Sequence, residues 1–139
     1  MTGPLLLDTH ALVWLMEGSR LLSPAARRRA EEAAQDGLLR VSAISLWEIA
    51  TLESKGRLSF GRECQAWIDE MLGSPGLQLA PLTAEVAVQS TRLPGEIHGD
   101  PADRILVATA RSIRAILLTA DAKLLAYAKT GHLSAVKAN

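Results

Sequence analysis

Residues 4–16 read PLLLDTHALVWLM, and the hydrophobic pattern of this stretch changes at one point. The opening apolar run is too short for a helix and is typical of a buried strand. Beyond Asp8, the apolar residues Ala11, Leu12 and Leu15 recur at helical spacing. The stretch therefore predicts a buried strand followed directly by a helix, with an aspartate at the junction.

The same order of strand and helix repeats along the rest of the chain. Further apolar strands are predicted at 38–41, 77–82, 115–118 and 133–136. Helices are predicted at 25–35, 42–55, 62–72, 83–93, 100–113 and 121–129. Apolar strands that alternate with helices are typical of a parallel sheet covered on both faces. We therefore predict a three-layer α/β/α fold with a parallel central sheet of four or five strands.

The composition is that of a small globular protein. Of the 139 residues, 48% are hydrophobic and 22% are charged, which is enough apolar material for a buried core and excludes a disordered or fibrous chain. We predict one domain over residues 1–139. Fifteen basic residues balance fifteen acidic ones, so that a nucleic-acid partner would need a local basic patch.

Two further features concern the cellular compartment. Cys64 is the only cysteine, which excludes an intrachain disulfide and a thiolate zinc site and favours a reducing compartment. The apolar amino terminus lacks a basic residue before Arg20 and is interrupted by Asp8, unlike a signal peptide. No stretch reaches the ~18 uninterrupted apolar residues of a membrane helix. We therefore expect a cytoplasmic protein with no membrane partner.

Several aspartates are predicted to lie along one edge of the sheet. In a parallel sheet with right-handed crossovers, the strand-to-helix junctions share the edge where ligands bind. Asp8 and Asp121 follow predicted strands, and Asp103 lies in the first turn of a helix that could face this edge. Each position also suits an aspartate that caps a helix. Asp100, followed by Pro101, is assigned as such a cap, with Asp103 completing a loose capping box.

Glu48 is an acid in an apolar setting. Its helical neighbours four residues away are Ile44 and Leu52, and Trp47 is adjacent. A carboxylate held against hydrocarbon costs several kcal/mol unless it is paired, and Lys55 is almost two turns away. The alternatives are an ion pair with a distant arginine or a metal ion, and the pattern favours the metal.

The acids together indicate a class of chemistry. If Asp8, Glu48, Asp103 and Asp121 meet, their repulsion requires a counter-charge, and oxygen-only ligands select Mg²⁺ or Mn²⁺. Such an ion neutralises a phosphate and lowers the pKa of a bound water. The set therefore predicts hydrolysis of a phosphodiester bond.

Four segments resemble, in order, the four acidic motifs of PIN-domain ribonucleases. They are LLLDTHAL at 5–12, SLWEIA at 45–50, DPADRILVATA at 100–110 and LTAD at 118–121. The resemblance extends over nearly the whole chain and is strongest to the VapC-type toxins. It implies cleavage of RNA with Mg²⁺ or Mn²⁺, a homodimer, and inhibition by a cognate antitoxin.

The resemblance also assigns roles to individual residues. The four motif acids are Asp8, Glu48, Asp103 and Asp121. Asp8 and Asp103 would be the main metal ligands, with Asp100 as the alternative to Asp103. Thr9 and Thr119 match small hydroxyl positions that could orient a carboxylate or a water. Ala120 departs from the family, where an arginine often precedes the fourth acid.

Candidate RNA contacts come from basic residues on elements that begin near the acidic edge. They are Arg104, Arg111, Arg114 and Lys123. The run at 27–29, RRR, is more typical of a solvated helix face, since Glu31 and Glu32 lie beside it. The three histidines lack metal-ligand spacing and are interpreted as turn or helix-end residues without a role in the mechanism, although His10 and His98 could lie near the site. They are His10, His98 and His132.

Two alternatives belong to other functional classes. A phosphoacceptor receiver domain has a similar size and an acidic Mg²⁺ site. It requires an acidic pair after the first strand and an aspartate after the third, whereas Asp8 has no acidic neighbour and Leu82 and Thr83 follow the third strand. The other alternative is a catalytically idle binding module with the PIN fold. The presence of all four acids argues against it.

Overall fold

A computed structural model describes residues 3–139, and five strands of this range form one parallel sheet. They are β1 (Leu5–Leu7), β2 (Leu39–Ser42), β3 (Leu77–Ala80), β4 (Ile116–Thr119) and β5 (Ala135–Lys137). The order is β3-β2-β1-β4-β5, and every neighbouring pair is parallel. All five predicted strands are confirmed, and each end lies within two residues of its predicted position.

Seven helices of the same range cover the sheet. They are α1 (Thr9–Met16), α2 (Pro24–Gln35), α3 (Ala43–Ser54), α4 (Cys64–Leu72), α5 (Ala84–Gln89), α6 (Pro101–Ser112) and α7 (Ala122–Ala128). Among residues 3–139, none of these helices combines the length and apolar character needed to cross a membrane.

Helix α5 is shorter than predicted. It ends at Gln89 instead of continuing to residue 93. The chain tightens there, because the N–H groups of Thr91 and Arg92 donate to carbonyls three residues back, each at 3.1 Å. Pro94 has no N–H that could bond to the carbonyl of Ser90. Arg104 Nε donates to that carbonyl instead, at 2.9 Å. A cation from α6 therefore replaces the missing backbone donor, which sequence periodicity could not show.

The core lies on both faces of the sheet, as predicted for three layers. Leu5 and Leu7 of β1 pack on one face with residues of α1, α2 and α4. Leu6 packs on the opposite face with residues of α5, α6 and α7. Because successive side chains of a strand point to opposite faces, β1 must be apolar throughout when both faces are covered.

The strand order places a topological switch point beside the end of β1. The chain adds β2 and β3 on one side of β1 and then crosses to add β4 and β5 on the other. The order reverses between β1 and β4, and such switch points are where open α/β sheets bind ligands. Receiver domains have the order 2-1-3-4-5, with β3 inside the sheet. Here β3 is an edge strand, which argues against the receiver alternative.

Candidate active site

Asp8 lies at the switch point and is only 7% exposed. Its Oδ1 accepts a hydrogen bond from the backbone N–H of Ala11 at 2.7 Å, so that it caps α1. Its Oδ2 accepts from the hydroxyl of Thr119. Burial raises the pKa of Asp8, the two hydrogen bonds oppose the rise, and the charge of Asp121 adds to it. This carboxylate is therefore held in place by neutral donors in a setting that disfavours its charge.

Thr119 joins the first acid to the fourth. It is fully buried at the end of β4, and its Oγ1 also accepts from the backbone N–H of Asp121 at 3.0 Å. Asp121 Oδ1 in turn accepts from the N–H groups of Lys123 at 2.8 Å and Leu124 at 3.2 Å, which makes it the cap of α7. The buried hydroxyl of Thr119 thus connects Asp8, at the end of β1, with Asp121, at the start of α7.

Glu48 projects from α3 and is half-buried. Its Oε1 accepts from the hydroxyl of Thr9 at 2.5 Å, and Thr9 is also hydrogen-bonded to Ser45 at 3.1 Å. Burial raises the pKa of Glu48, and the charges of Asp103 and Asp100 raise it further. Both Thr9 and Thr119 therefore donate to a site carboxylate, which is the geometry that an orienting role requires.

The arginine partner considered for Glu48 is not found in the described part of the chain. Across residues 3–139, the ion pairs are Arg62 with Glu70 and His98 with Asp103. Neither pair includes Glu48, whose hydrogen-bond donor is the neutral hydroxyl of Thr9.

Asp103 lies in the first turn of α6, and its side chain is 18% exposed. Its Oδ2 lies 2.7 Å from Nε2 of His98. Burial raises its pKa, the His98 hydrogen bond lowers it, and the charges of Asp100 and Asp121 raise it. The predicted capping box is wrong, because Asp103 bonds to His98 instead of the backbone of residue 100. Asp100 is the cap of α6, as predicted, and accepts from the N–H of Ala102 at 3.0 Å.

The contact of His98 with Asp103 is the feature of the site that sequence reasoning missed. The prediction allowed His98 a place near the site but gave it no role, because its spacing fits no metal motif. The available signal was local: Gly99 and Pro101 between His98 and Asp103 favour a turn before α6. Such a turn can fold residue 98 back over the first turn of the helix.

Charge repulsion connects the four predicted acids in three pairs. The pKa of Asp8 responds to Asp121, that of Asp103 responds to Asp121, and that of Glu48 responds to Asp103. Within residues 3–139, however, no three side chains of the types His, Cys, Asp and Glu lie close enough to bind one metal ion as they stand. Oxygen donors, burial and mutual repulsion suit a hard divalent cation. The metal site itself stays a prediction.

Comparison with known proteins identifies the family. The family model of the PIN domain matches residues 5–130. The chain belongs to the PIN-domain family. It is 33% identical over 119 residues to a Mycobacterium tuberculosis protein named Ribonuclease VapC22, and the match covers 86% of this chain and 88% of that protein.

Solved structures show the same fold. A crystal structure of VapBC2 from Rickettsia felis, bound to a DNA fragment from its promoter, aligns with a TM-score of 0.69 at 18% identity and covers 97% of this chain and 98% of that one. DNA-bound VapBC from Salmonella typhimurium aligns with a TM-score of 0.69 at 14% identity, with 99% of each chain covered. At these identities the likeness shows the fold alone, and it confirms the three-layer prediction.

Two of the four predicted RNA contacts of this PIN domain, Arg111 and Arg114, lie away from the acidic edge. Arg111 lies eight residues beyond Asp103 on α6, which is about 12 Å along the helix axis, and donates to the carbonyl of His132. Arg114 precedes β4 at the opposite edge of the sheet. α6 begins near the acids, as predicted, but Arg111 lies near its far end and Arg114 lies beyond it. Contact of these two residues with RNA at the acidic edge stays a prediction that their positions do not support.

Two of the predicted RNA contacts do lie near the acids. Arg104 donates to the carbonyls of Ser90 at 2.9 Å, Ile97 at 3.3 Å and His98 at 3.4 Å, so that its guanidinium holds a loop. Lys123 is exposed in the first turn of α7. Contact of Lys123 with RNA stays a prediction.

The metal-free PIN domain is expected to become less stable as pH rises above the ordinary pKa of carboxyl groups. Asp8, Glu48 and Asp103 have raised pKa values in the folded state, so that the folded chain binds protons more tightly than the unfolded one. Their contribution to the free energy of unfolding is present below the unfolded pKa and is lost as pH rises through the raised folded pKa. Denaturant unfolding in EDTA at several pH values measures how steeply the free energy of unfolding falls with pH. Asp8→Asn should flatten it, and a profile parallel to that of the wild type would contradict the assignment.

Proposed function

We propose that this chain is a ribonuclease that hydrolyses RNA phosphodiester bonds with Mg²⁺ or Mn²⁺, and that it is the toxin of a toxin–antitoxin pair. The observation that carries the proposal is the chain of pairwise repulsions that connects four carboxylates near the switch point of a PIN fold, from Asp8 to Asp121, from Asp121 to Asp103 and from Asp103 to Glu48. The name of the Mycobacterium tuberculosis relative supports RNA as the substrate. The VapBC assemblies among the structural neighbours support an antitoxin partner.

The residues would divide the work as follows. Asp8 and Asp103 supply the main oxygen ligands, and Glu48 and Asp121 complete the negative cluster. Thr119 donates to the Asp8 carboxylate, so that this ligand is already oriented before an ion binds. When bound, Mg²⁺ or Mn²⁺ neutralises charge on the scissile phosphate and lowers the pKa of a water molecule.

Glu48 is suited to a role in proton transfer. Its Oε1 is held by Thr9, and burial together with neighbouring acids raises its pKa. A carboxylate with a raised pKa is a better proton acceptor near neutral pH than an ordinary one. We assign Glu48 the role of taking a proton from the attacking water, at the Oε2 atom that Thr9 does not occupy.

Incubation of the purified chain with a mixed RNA pool tests the proposal. Cleavage should require Mn²⁺ or Mg²⁺, and sequencing of the new ends should show cuts at a restricted set of sites. Cleavage that continues in excess EDTA would contradict the metal-dependent mechanism. No cleavage of any RNA with either metal would favour the idle binding module.

An apolar groove beside the site supports a homodimer. Its volume is about 340 Å³, and it is lined by Ala43, Ile44, Trp47, Leu82, Pro101, Ala102 and Ile105. Trp47 is 60% exposed and Leu82 is 46% exposed. Covering a large apolar side chain stabilises a complex by roughly 1.5–3 kcal/mol. We propose that a second copy of the chain covers this groove. We also propose that each chain forms one domain and that the protein is cytoplasmic.

Light scattering at micromolar concentration is expected to give twice the mass of one chain. Trp47→Lys should convert the particle to a monomer, because it places a charge in the apolar contact. Leu21 is 62% exposed and does not line the groove, so that Leu21→Lys is a matched control that should remain dimeric. A monomeric wild type would contradict the dimer, and a dimeric Trp47→Lys would move the contact to another face.

A further inference from the structure

His98 contacts a predicted metal ligand without being a ligand in the family pattern. Its Nε2 lies 2.7 Å from Oδ2 of Asp103, and the two side chains are 22% and 18% exposed. We propose that His98 is a positioning residue: its Nε2–H holds Oδ2 of Asp103 and leaves Oδ1 for the metal ion. The inference rests on the proposed function and adds a residue to that site.

The loop that carries His98 is fixed in place on both sides. Arg104 donates to the carbonyls of Ile97 and His98, and these bonds tie the loop to α6, the helix that bears Asp103. Farther back in the loop, the hydroxyl of Tyr127 donates to the carbonyl of Pro94 at 2.6 Å. The imidazole therefore approaches Asp103 from a backbone that is already held, as a positioning group requires.

Asp103 depends on a single partner, unlike Asp8. The Asp8 carboxylate is held by a buried threonine and a backbone N–H, whereas Asp103 has His98. The charges of Asp100 and Asp121 repel it. Without a donor at Oδ2, rotation about its side-chain bonds would carry the carboxylate toward solvent. Partners that orient metal ligands in this way typically change metal affinity by about 10–100-fold when removed.

Two substitutions of equal length separate the hydrogen bond from the bulk of the side chain. His98→Gln keeps an N–H donor at about the reach of Nε2, and His98→Met has a similar length without a donor. Mn²⁺ binding is followed by the electron paramagnetic resonance signal of the free ion, which does not depend on catalysis. His98→Met should weaken binding by about 10–100-fold. His98→Gln should restore most of that affinity.

Kinetics and controls distinguish positioning from a structural role. With His98→Met, the Mn²⁺ concentration needed for half-maximal cleavage should rise, and the rate at saturating Mn²⁺ should recover toward that of the wild type. Gln65→Met places the same side chain at an exposed position of α4 and should bind Mn²⁺ as the wild type does. Unfolding in EDTA checks that each variant is folded. If His98→Met does not fold, His98→Ala takes its place in the comparison with His98→Gln.

The outcomes separate this inference from the function on which it rests. Equal Mn²⁺ affinity in the wild type, His98→Met and His98→Gln would overturn the positioning role and leave the metal site in place. Equal weakening in both His98 variants would also overturn it, because the donor would then be irrelevant. A wild type that neither binds Mn²⁺ nor cleaves RNA would overturn the proposed function together with the inference.

Discussion

Asp8→Asn and Asp103→Asn are each expected to reduce the rate of RNA cleavage by about 10³-fold. A correctly held ion supplies several kcal/mol of transition-state stabilisation, and each 1.36 kcal/mol corresponds to a tenfold change in rate. Asparagine keeps the shape of the side chain but removes the charge that holds the ion. Initial rates on a defined RNA, with Mn²⁺ and with EDTA, measure the effect.

A matched control comes from an aspartate outside the site. Asp69 is exposed on α4 and accepts a hydrogen bond from Gln65. Asp69→Asn should therefore cleave RNA at the wild-type rate. Wild-type rates in both Asp8→Asn and Asp103→Asn would refute the assignment of these acids.

Mn²⁺ is expected to raise the unfolding free energy of the wild type by ~2.7 kcal/mol at a hundred times its dissociation constant. Asp8→Asn and Asp103→Asn should lose this stabilisation by Mn²⁺. Without metal they should be at least as stable as the wild type, because asparagine removes a desolvated charge from Asp8 and a repelled charge from Asp103. Thermal unfolding of the wild type and of each variant, in EDTA and in Mn²⁺, gives both quantities.

Asp100→Asn is the informative control for this experiment. Asp100 and Asp103 lie three residues apart at the start of α6, but Asp100 is exposed and its Oδ1 caps the helix. Asparagine is as good a cap as aspartate, so that this variant should keep the Mn²⁺ gain. If Asp100→Asn lost the stabilisation by Mn²⁺ and Asp103→Asn kept it, Asp100 would be the third acid of the site instead of Asp103. Equal gains in all variants would remove the physical basis of the site.

A single aspartate can cap a helix and also be a metal ligand, although the sequence analysis treated these two roles as alternatives. Asp8 and Asp121 both cap helices, and each does so through Oδ1. A carboxylate has two oxygens, and a helix N-terminus favours its charge. A cap can therefore also fix the direction in which a carboxylate faces. The capping part of the prediction is confirmed, and metal ligation stays a prediction.

Local chemistry was enough to predict the elements and the location of the acids along them. The apolar run before Asp8 and the helical spacing in α3 depend on neighbours a few residues apart. These patterns also place Asp8 and Asp121 at strand ends. The placement of Arg111 and Arg114 was less reliable, because the direction of α6 carries both away from the edge where the helix begins.

Only the tertiary structure decided which groups hold the acids. Thr119 and Asp8 are 111 residues apart in the chain, and Thr9 and Glu48 are 39 apart. The order of the sheet places β4 beside β1, and the packing of α1 against α3 forms the second contact. The hydrogen bond between His98 and Asp103 depends on a loop that Arg104 ties to α6. Sequence patterns report which face of an element is apolar, whereas these hydrogen bonds depend on distances between elements that no local pattern contains.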